Sequence, residues 1–179
     1  MNAYFIDRKA RSAMFSYKCT ACGGIHEGIP SYAALAPLSY EQIPESERAA
    51  RAVLGSDDCV IDDTRYFVRG CIDIPVDGDA EPFIWGVWVS LSEVSFMEWG
   101  HSFDLEKRSH IGPFFGWLDT ELTLYPTTVN LKARVRLRDG FARPSIELEQ
   151  NGHPLAIEQR DGISRARLAE ILTLMRHGH

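Results

Sequence analysis

The sequence predicts an α+β fold in a single domain: an antiparallel sheet of hairpins and a meander, packed with two or three helices, with a cysteine knuckle near the N-terminus. Three observations predict it. Apolar and charged residues alternate across a hairpin at 131–149, an apolar stripe runs along a closing helix, and no strand–helix–strand repetition links the segments. The chain has 179 residues, 45% of them hydrophobic and 25% charged, which is enough for one sizeable core. Residues 1–13 are mixed and polar and read as an N-terminal arm, so the domain is expected over 14–179.

Each element follows from a local pattern. Ala13-Met14-Phe15-Ser16-Tyr17-Lys18 reads as a short strand running into Cys19, and residues 28–38, with Pro30 and Pro37, read as an irregular loop. A helix is expected over 44–54. Pro44 suits the first helical position, Glu45 and Glu47 the positive N-terminal end, Arg51 the other end, and Gly55 is a stop. Cys59-Val60-Ile61 turns at Asp62-Asp63-Thr64 into a strand over 66–74, where Val68, Ile72 and Ile74 share one face and Arg69 and Asp73 the other. Residues 83–91 form a nearly continuous apolar run, rich in aromatic and β-branched side chains, and read as a strand covered on both faces. Ser92 is then the N-cap of a helix through Val94, Met97 and Trp99.

Gly112-Pro113-Phe114-Phe115-Gly116-Trp117-Leu118 reads as an aromatic loop, either covering a core edge or offering a recognition surface. In the hairpin, Leu131, Ala133, Val135 and Leu137 alternate with Lys132, Arg134, Arg136 and Arg138, and Asp139-Gly140 signals a two-residue turn. That turn sets Leu131 opposite Leu148, Ala133 opposite Ile146 and Lys132 opposite Glu147. The basic stripe is an anion site or, more simply, a solvated strand face neutralised by Glu147 and Glu149. The last helix spans 164–176, with Ser164 as N-cap, Ile163 stapled onto Leu168, and a stripe of Leu168, Ile171, Leu172 and Met175.

Composition narrows function by exclusion. A net charge of -6 argues against a protein held broadly on nucleic acid. No apolar stretch is long enough for a bilayer, and the N-terminal residues carry no secretory h-region, so no membrane partner and a cytoplasmic location are expected. In that compartment four cysteines are thiols or metal ligands rather than disulfides. Walker A, GxGxxG, HExxH and EF-hand patterns are absent, and His101, His110 and His153 have no nucleophile beside them. No catalytic residue is assigned, and the reading leans away from an enzyme.

The sharpest motif is Cys19-Thr20-Ala21-Cys22-Gly23-Gly24, followed by His26. Cysteines three positions apart can place two sulfurs on one cation, and the glycines let the chain turn so that backbone N–H groups point at the thiolates. This is the knuckle of a zinc site, which needs two further donors from His26, Cys59 and Cys71. Two blander readings stand beside it: buried thiols in a β-turn, or a redox pair. Gly23-Gly24 disfavours the helix that a thioredoxin-like pair requires. Cys59 and Cys71, each in a strand, also read as small buried hydrophobes.

Several stretches resemble a bacterial family known as domain of unknown function 2199. They are Cys19-x-x-Cys22-Gly23-x-x-His26, Asp58-Cys59-Val60-Ile61-Asp62, Phe67-Val68-Arg69-Gly70-Cys71-Ile72-Asp73-Ile74-Pro75 and Trp85-Gly86-Val87-Trp88-Val89-Ser90-Leu91-Ser92. Phe114-Phe115-Gly116-Trp117-Leu118, Arg143-Pro144-Ser145-Ile146-Glu147-Leu148 and His153-Pro154-Leu155-Ala156-Ile157-Glu158-Gln159 continue the likeness, which spans about residues 17–172. The resemblance implies a bacterial single-domain protein with no established activity. It lends no catalytic residue, and it implies that the knuckle and Cys59 share one framework.

The expectation is therefore a non-catalytic binding or regulatory domain with structural zinc on Cys19, Cys22, His26 and Cys59. Its recognition surface would be the aromatic segment, Phe114, Phe115 and Trp117, beside Arg69 and Asp73, facing a protein or small-molecule ligand. Two alternatives are an enzyme using a Cys thiolate with a histidine, and a protein–protein module of the stress or immunity type.

Overall fold

A computed structural model describes residues 15–177; the expected arm at 1–13 lies outside them. The elements in order are β1 (Ser16–Lys18), β2 (Ile25–Glu27), β3 (Tyr32–Ala33), α1 (Leu38–Glu41), α2 (Glu45–Arg51), β4 (Ala52–Leu54), β5 (Asp58–Ile61) and β6 (Arg65–Ile74). They continue with β7 (Phe83–Leu91), α3 (Glu93–His101), β8 (Phe114–Leu118), β9 (Lys132–Arg136), β10 (Ser145–Leu148), α4 (Pro154–Asp161) and α5 (Arg165–His177). The α+β mixture is as expected, but the sheet is not a simple antiparallel meander. Strands β6, β7, β8, β9 and β10 pair in sequence, and β10 returns to β6, closing a five-stranded barrel. Each consecutive pair is antiparallel. Four reversals bring the fifth strand back in the direction of the first, so the closing pair must be parallel. It is, with Ser145 beside Cys71. β5 and β4 extend the sheet from β6, and β3 lies parallel on β7.

A barrel this small has little interior room, and two inward positions are glycine. A Cβ on Gly70 would stand 2.5 Å from the Ile146 side chain, and one on Gly116 would stand 2.2 Å from the Ser90 carbonyl. Both strands can therefore close on their neighbours only without a side chain there. Val68, Ile72, Trp85, Val87, Val89, Val135 and Ile146 fill one core, joined by Leu155 of α4 and Leu168, Ile171 and Leu172 of α5. A second core lies on the opposite face of β6 and β7, where Phe67 and Trp88 pack with Cys59, Ile61, Ile43 and Ala34.

Several local expectations change. Five helices occur among the described residues rather than two or three. α4 has no counterpart among the expected elements; His153 caps it, its Nδ1 accepting the Leu155 N–H at 3.2 Å, and Pro154 opens its first turn. The helix expected over 44–54 stops at Arg51, and Ala52, Val53 and Leu54 turn into a strand because they pair with Ile61, Val60 and Cys59. The loop at 28–38 contains β3, and the aromatic segment is strand β8 rather than a loop. Ser92 and Ser164 cap α3 and α5 as expected, accepting the N–H groups of Ser95 and Arg167, each at 3.2 Å.

The β9–β10 hairpin keeps its expected faces but is shifted by two residues: Val135 faces Ile146, Ala133 faces Leu148 and Arg134 faces Glu147. An even shift preserves the face of every side chain. The cause is Arg108, 2% exposed, which reaches into the connection. Its Nε donates to the Arg138 carbonyl at 3.0 Å and its Nη2 to the Ala142 carbonyl at 2.9 Å. Asp139 Oδ1 accepts the N–H groups of Arg108 and Ser109, each at 2.8 Å. Asp139 thus serves a neighbouring segment instead of a two-residue turn, and the loop widens around the arginine. Among the described residues no helix is long and apolar enough to cross a membrane.

Candidate metal centre

The knuckle is the connection of the β1–β2 hairpin. Tyr17 pairs with His26 and Lys18 with Ile25, leaving residues 19–24 as the turn. Cys19 N–H donates to the Gly24 carbonyl at 2.8 Å, and Gly23 N–H to the Cys19 carbonyl at 2.9 Å. Gly23 takes φ 71°, the left-handed region that a side chain disfavours. The turn curls the chain around the first sulfur. Backbone N–H of Cys22 is the largest influence on the Cys19 thiol; together with Ala21 N–H, the Cys22 thiol and the Thr173 hydroxyl it outweighs burial and lowers the pKa to about 6. These donors favour the Cys19 thiolate, the form that binds metal.

His26 follows two residues after the turn, on β2. Its Nε2 lies 3.3 Å from Cys22 Sγ, and its ring stacks obliquely near Tyr17 with centroids 5.4 Å apart. The fourth donor comes from the far end of the chain. His177 is the last residue of α5, one helical turn after Thr173, and its ring centroid lies 6.5 Å from that of His26. Leu168, Ile171 and Leu172 seat α5 on the main core, which also contains Tyr17 and Cys19. Residues four apart share a helix face, so Thr173 and His177 both come down on the knuckle. The ligand atoms of Cys19, Cys22, His26 and His177 lie within 4.8 Å of one another, close enough to hold a metal ion. Cys19 is buried, His26 half-buried, and Cys22 and His177 exposed.

Cys59 does not join this cluster. It pairs with Phe67, whose side chain faces away from the barrel interior, and it belongs to the second core. Burial there pushes its thiol up to about 11. Cys71 lies half-buried on the outer side of β6, where burial also raises its pKa. His177, which the sequence reading does not count among the candidate donors, has a faint signal: it continues the Thr173 position by one helical turn, but nothing in the sequence says which element that face meets.

The expected recognition residues fall in three places. Phe114 points into the barrel, while Phe115 and Trp117 point out, 51% and 40% exposed, with ring centroids 5.3 Å apart. Across β9 they face Arg134 and Lys132. Arg69 and Asp73 stand on β6, which does not pair with β8. Arg69 covers the Trp88 ring at 5.9 Å, and Asp73 pairs with Arg138.

Among known proteins, no curated protein and no solved structure matches the chain. A family described as an uncharacterized protein conserved in bacteria matches residues 18–163, a span that includes Cys19, Cys22 and His26 but ends before α5 and His177. The chain belongs to that bacterial family, domain of unknown function 2199 (DUF2199).

Proposed function

We propose that this protein is a non-catalytic binding or regulatory domain fastened by one structural zinc ion on Cys19, Cys22, His26 and His177. The observation that carries the reading is the convergence of four donor atoms within 4.8 Å. Two thiolates and two imidazoles are the donor set of a tetrahedral zinc site, and four protein ligands leave no open position for substrate. The ion would join the β1–β2 hairpin to the end of α5. The binding face is the outward side of β8 and β9, where Phe115 and Trp117 offer paired rings beside Lys132 and Arg134. A protein or small-molecule ligand with an apolar, partly anionic surface suits it.

A second reading rests on the contact between Cys22 Sγ and His26 Nε2 at 3.3 Å, the geometry of a thiolate–imidazole nucleophile. Alkylation separates the two. With zinc bound, Cys22 is expected to react slowly with iodoacetamide at neutral pH, and to react at least about tenfold faster after chelation, since the thiolate is the nucleophile that the metal occupies. Fast alkylation of Cys22 in protein shown to contain zinc would favour the nucleophile.

A further inference from the structure

We infer that Cys19 and Cys22 form a modification site: a peroxide oxidises the pair to a disulfide, and the metal centre loses its ion. The inference rests on the zinc reading above. Its own basis is the asymmetry of the cluster. Cys22 is exposed at the surface, whereas Cys19 is 1% exposed behind it. Both sulfurs lie within 4.8 Å of each other. A bond between them requires a separation of about 2.05 Å, so the two sulfurs must approach each other within the turn. Open space surrounds the position of a Cβ on Gly23, and a Cβ on Gly24 would sit 3.4 Å from Cys22 Sγ. The glycines that shape the knuckle therefore add no side chain over the outer sulfur, which keeps its solvent side open to a small oxidant.

The step balances with hydrogen peroxide as oxidant. The Cys22 sulfur attacks one peroxide oxygen, the O–O bond breaks, and hydroxide leaves, giving a sulfenic acid. The Cys19 thiolate then attacks the Cys22 sulfur, the S–S bond forms, and a second hydroxide leaves. Two thiolates lose two electrons, and one peroxide becomes two hydroxide ions, protonated by solvent to water. The remaining donors, His26 and His177, are too few to hold zinc. α5 is then released from the hairpin at its last turn, beside a 230 Å³ groove lined by Tyr17, Pro30, Leu172, Met175 and Arg176. The other two cysteines serve as internal controls. Cys59 is fully enclosed in the second core, and Cys71 is half-buried on a strand, neither of them in the donor cluster.

The test treats the full-length, zinc-loaded protein with rising hydrogen peroxide. Freed zinc is read with a chromophoric chelator, and thiols by mass after alkylation in denaturant. The expected result is one zinc released as two thiols disappear, a disulfide mapped to Cys19 and Cys22, Cys59 and Cys71 still reduced, and recovery with dithiothreitol plus zinc. Cys59→Ser should release zinc at the same peroxide concentration. Zinc retained with four reduced thiols, under conditions that oxidise the chelated protein, would overturn the inference while leaving the zinc site standing. So would release through sulfinic acid without a disulfide. Protein that takes up no zinc at the outset overturns the metal reading, and this inference with it.

Discussion

Cys59 and His177 show how a single residue enters or leaves a site by the face it occupies. The alternation in β6 is legible in Val68, Ile72 and Ile74, but it does not say which residue of β6 Cys59 meets. Pairing with Phe67 puts Cys59 on the opposite face of the sheet from the core that contains Cys19. The knuckle itself was legible because its chemistry is local: two sulfurs, two glycines and a histidine within eight residues. His177 was not, because its contact joins opposite ends of the chain. The two residues predict opposite mutant behaviour. Cys59→Ser should keep one zinc per chain yet cost about 1–3 kcal/mol in urea denaturation, the price of a hydroxyl in an apolar core. His177→Ala should abolish stoichiometric zinc at low free metal, and its stability should become insensitive to chelator. Elemental analysis of both variants, beside their denaturation midpoints, checks the assignment; zinc lost from Cys59→Ser and kept in His177→Ala would reverse it.

At the scale of elements, the patterns that survived are those that depend only on neighbours in sequence. The continuous apolar run of β7 is enclosed on both faces, and the caps of α3 and α5 are Ser92 and Ser164 as read. The β9–β10 register depended on a residue outside the hairpin. Arg108 arrives from the loop before β8 and takes the carbonyls of Arg138 and Ala142, so the Asp139-Gly140 signal, sound in isolation, was overruled. The widened loop has a pH signature. The N–H groups of Ser109 and Arg108 point at Asp139 and hold its carboxyl below the usual range. A depressed carboxyl contributes stability that is present above the unfolded value, about 3.9, and lost as pH falls through the folded value. Asp139→Asn should therefore be less stable than the native protein at neutral pH, with the gap narrowing below about pH 4. Denaturation midpoints measured from pH 2 to 7 read this directly, and a gap that stays constant would remove the carboxylate from the account.

For the molecule as a whole, the class was legible and the closure was not. Alternating apolar faces announce a sheet with one covered side, but they are equally consistent with an open meander and with a barrel. The difference lies in one parallel pair, β10 on β6, between residues far apart in sequence, and in two glycines that make room inside. α5 packs on the barrel and carries His177 to a hairpin at the other end of the chain, so a metal ion there would join the two termini of the fold. Binding energy at such a site is folding energy, because the unfolded chain has no preformed cluster. At free zinc about 1,000 times the dissociation constant this amounts to roughly 4 kcal/mol, or about 10 °C in melting temperature for a domain of this size. The most direct measurement is elemental analysis of the purified protein joined to thermal melts with and without chelator. One zinc per chain and a melting temperature lowered by about 10 °C on chelation is the predicted result; a metal-free protein whose melting is unchanged by zinc or chelator would contradict it.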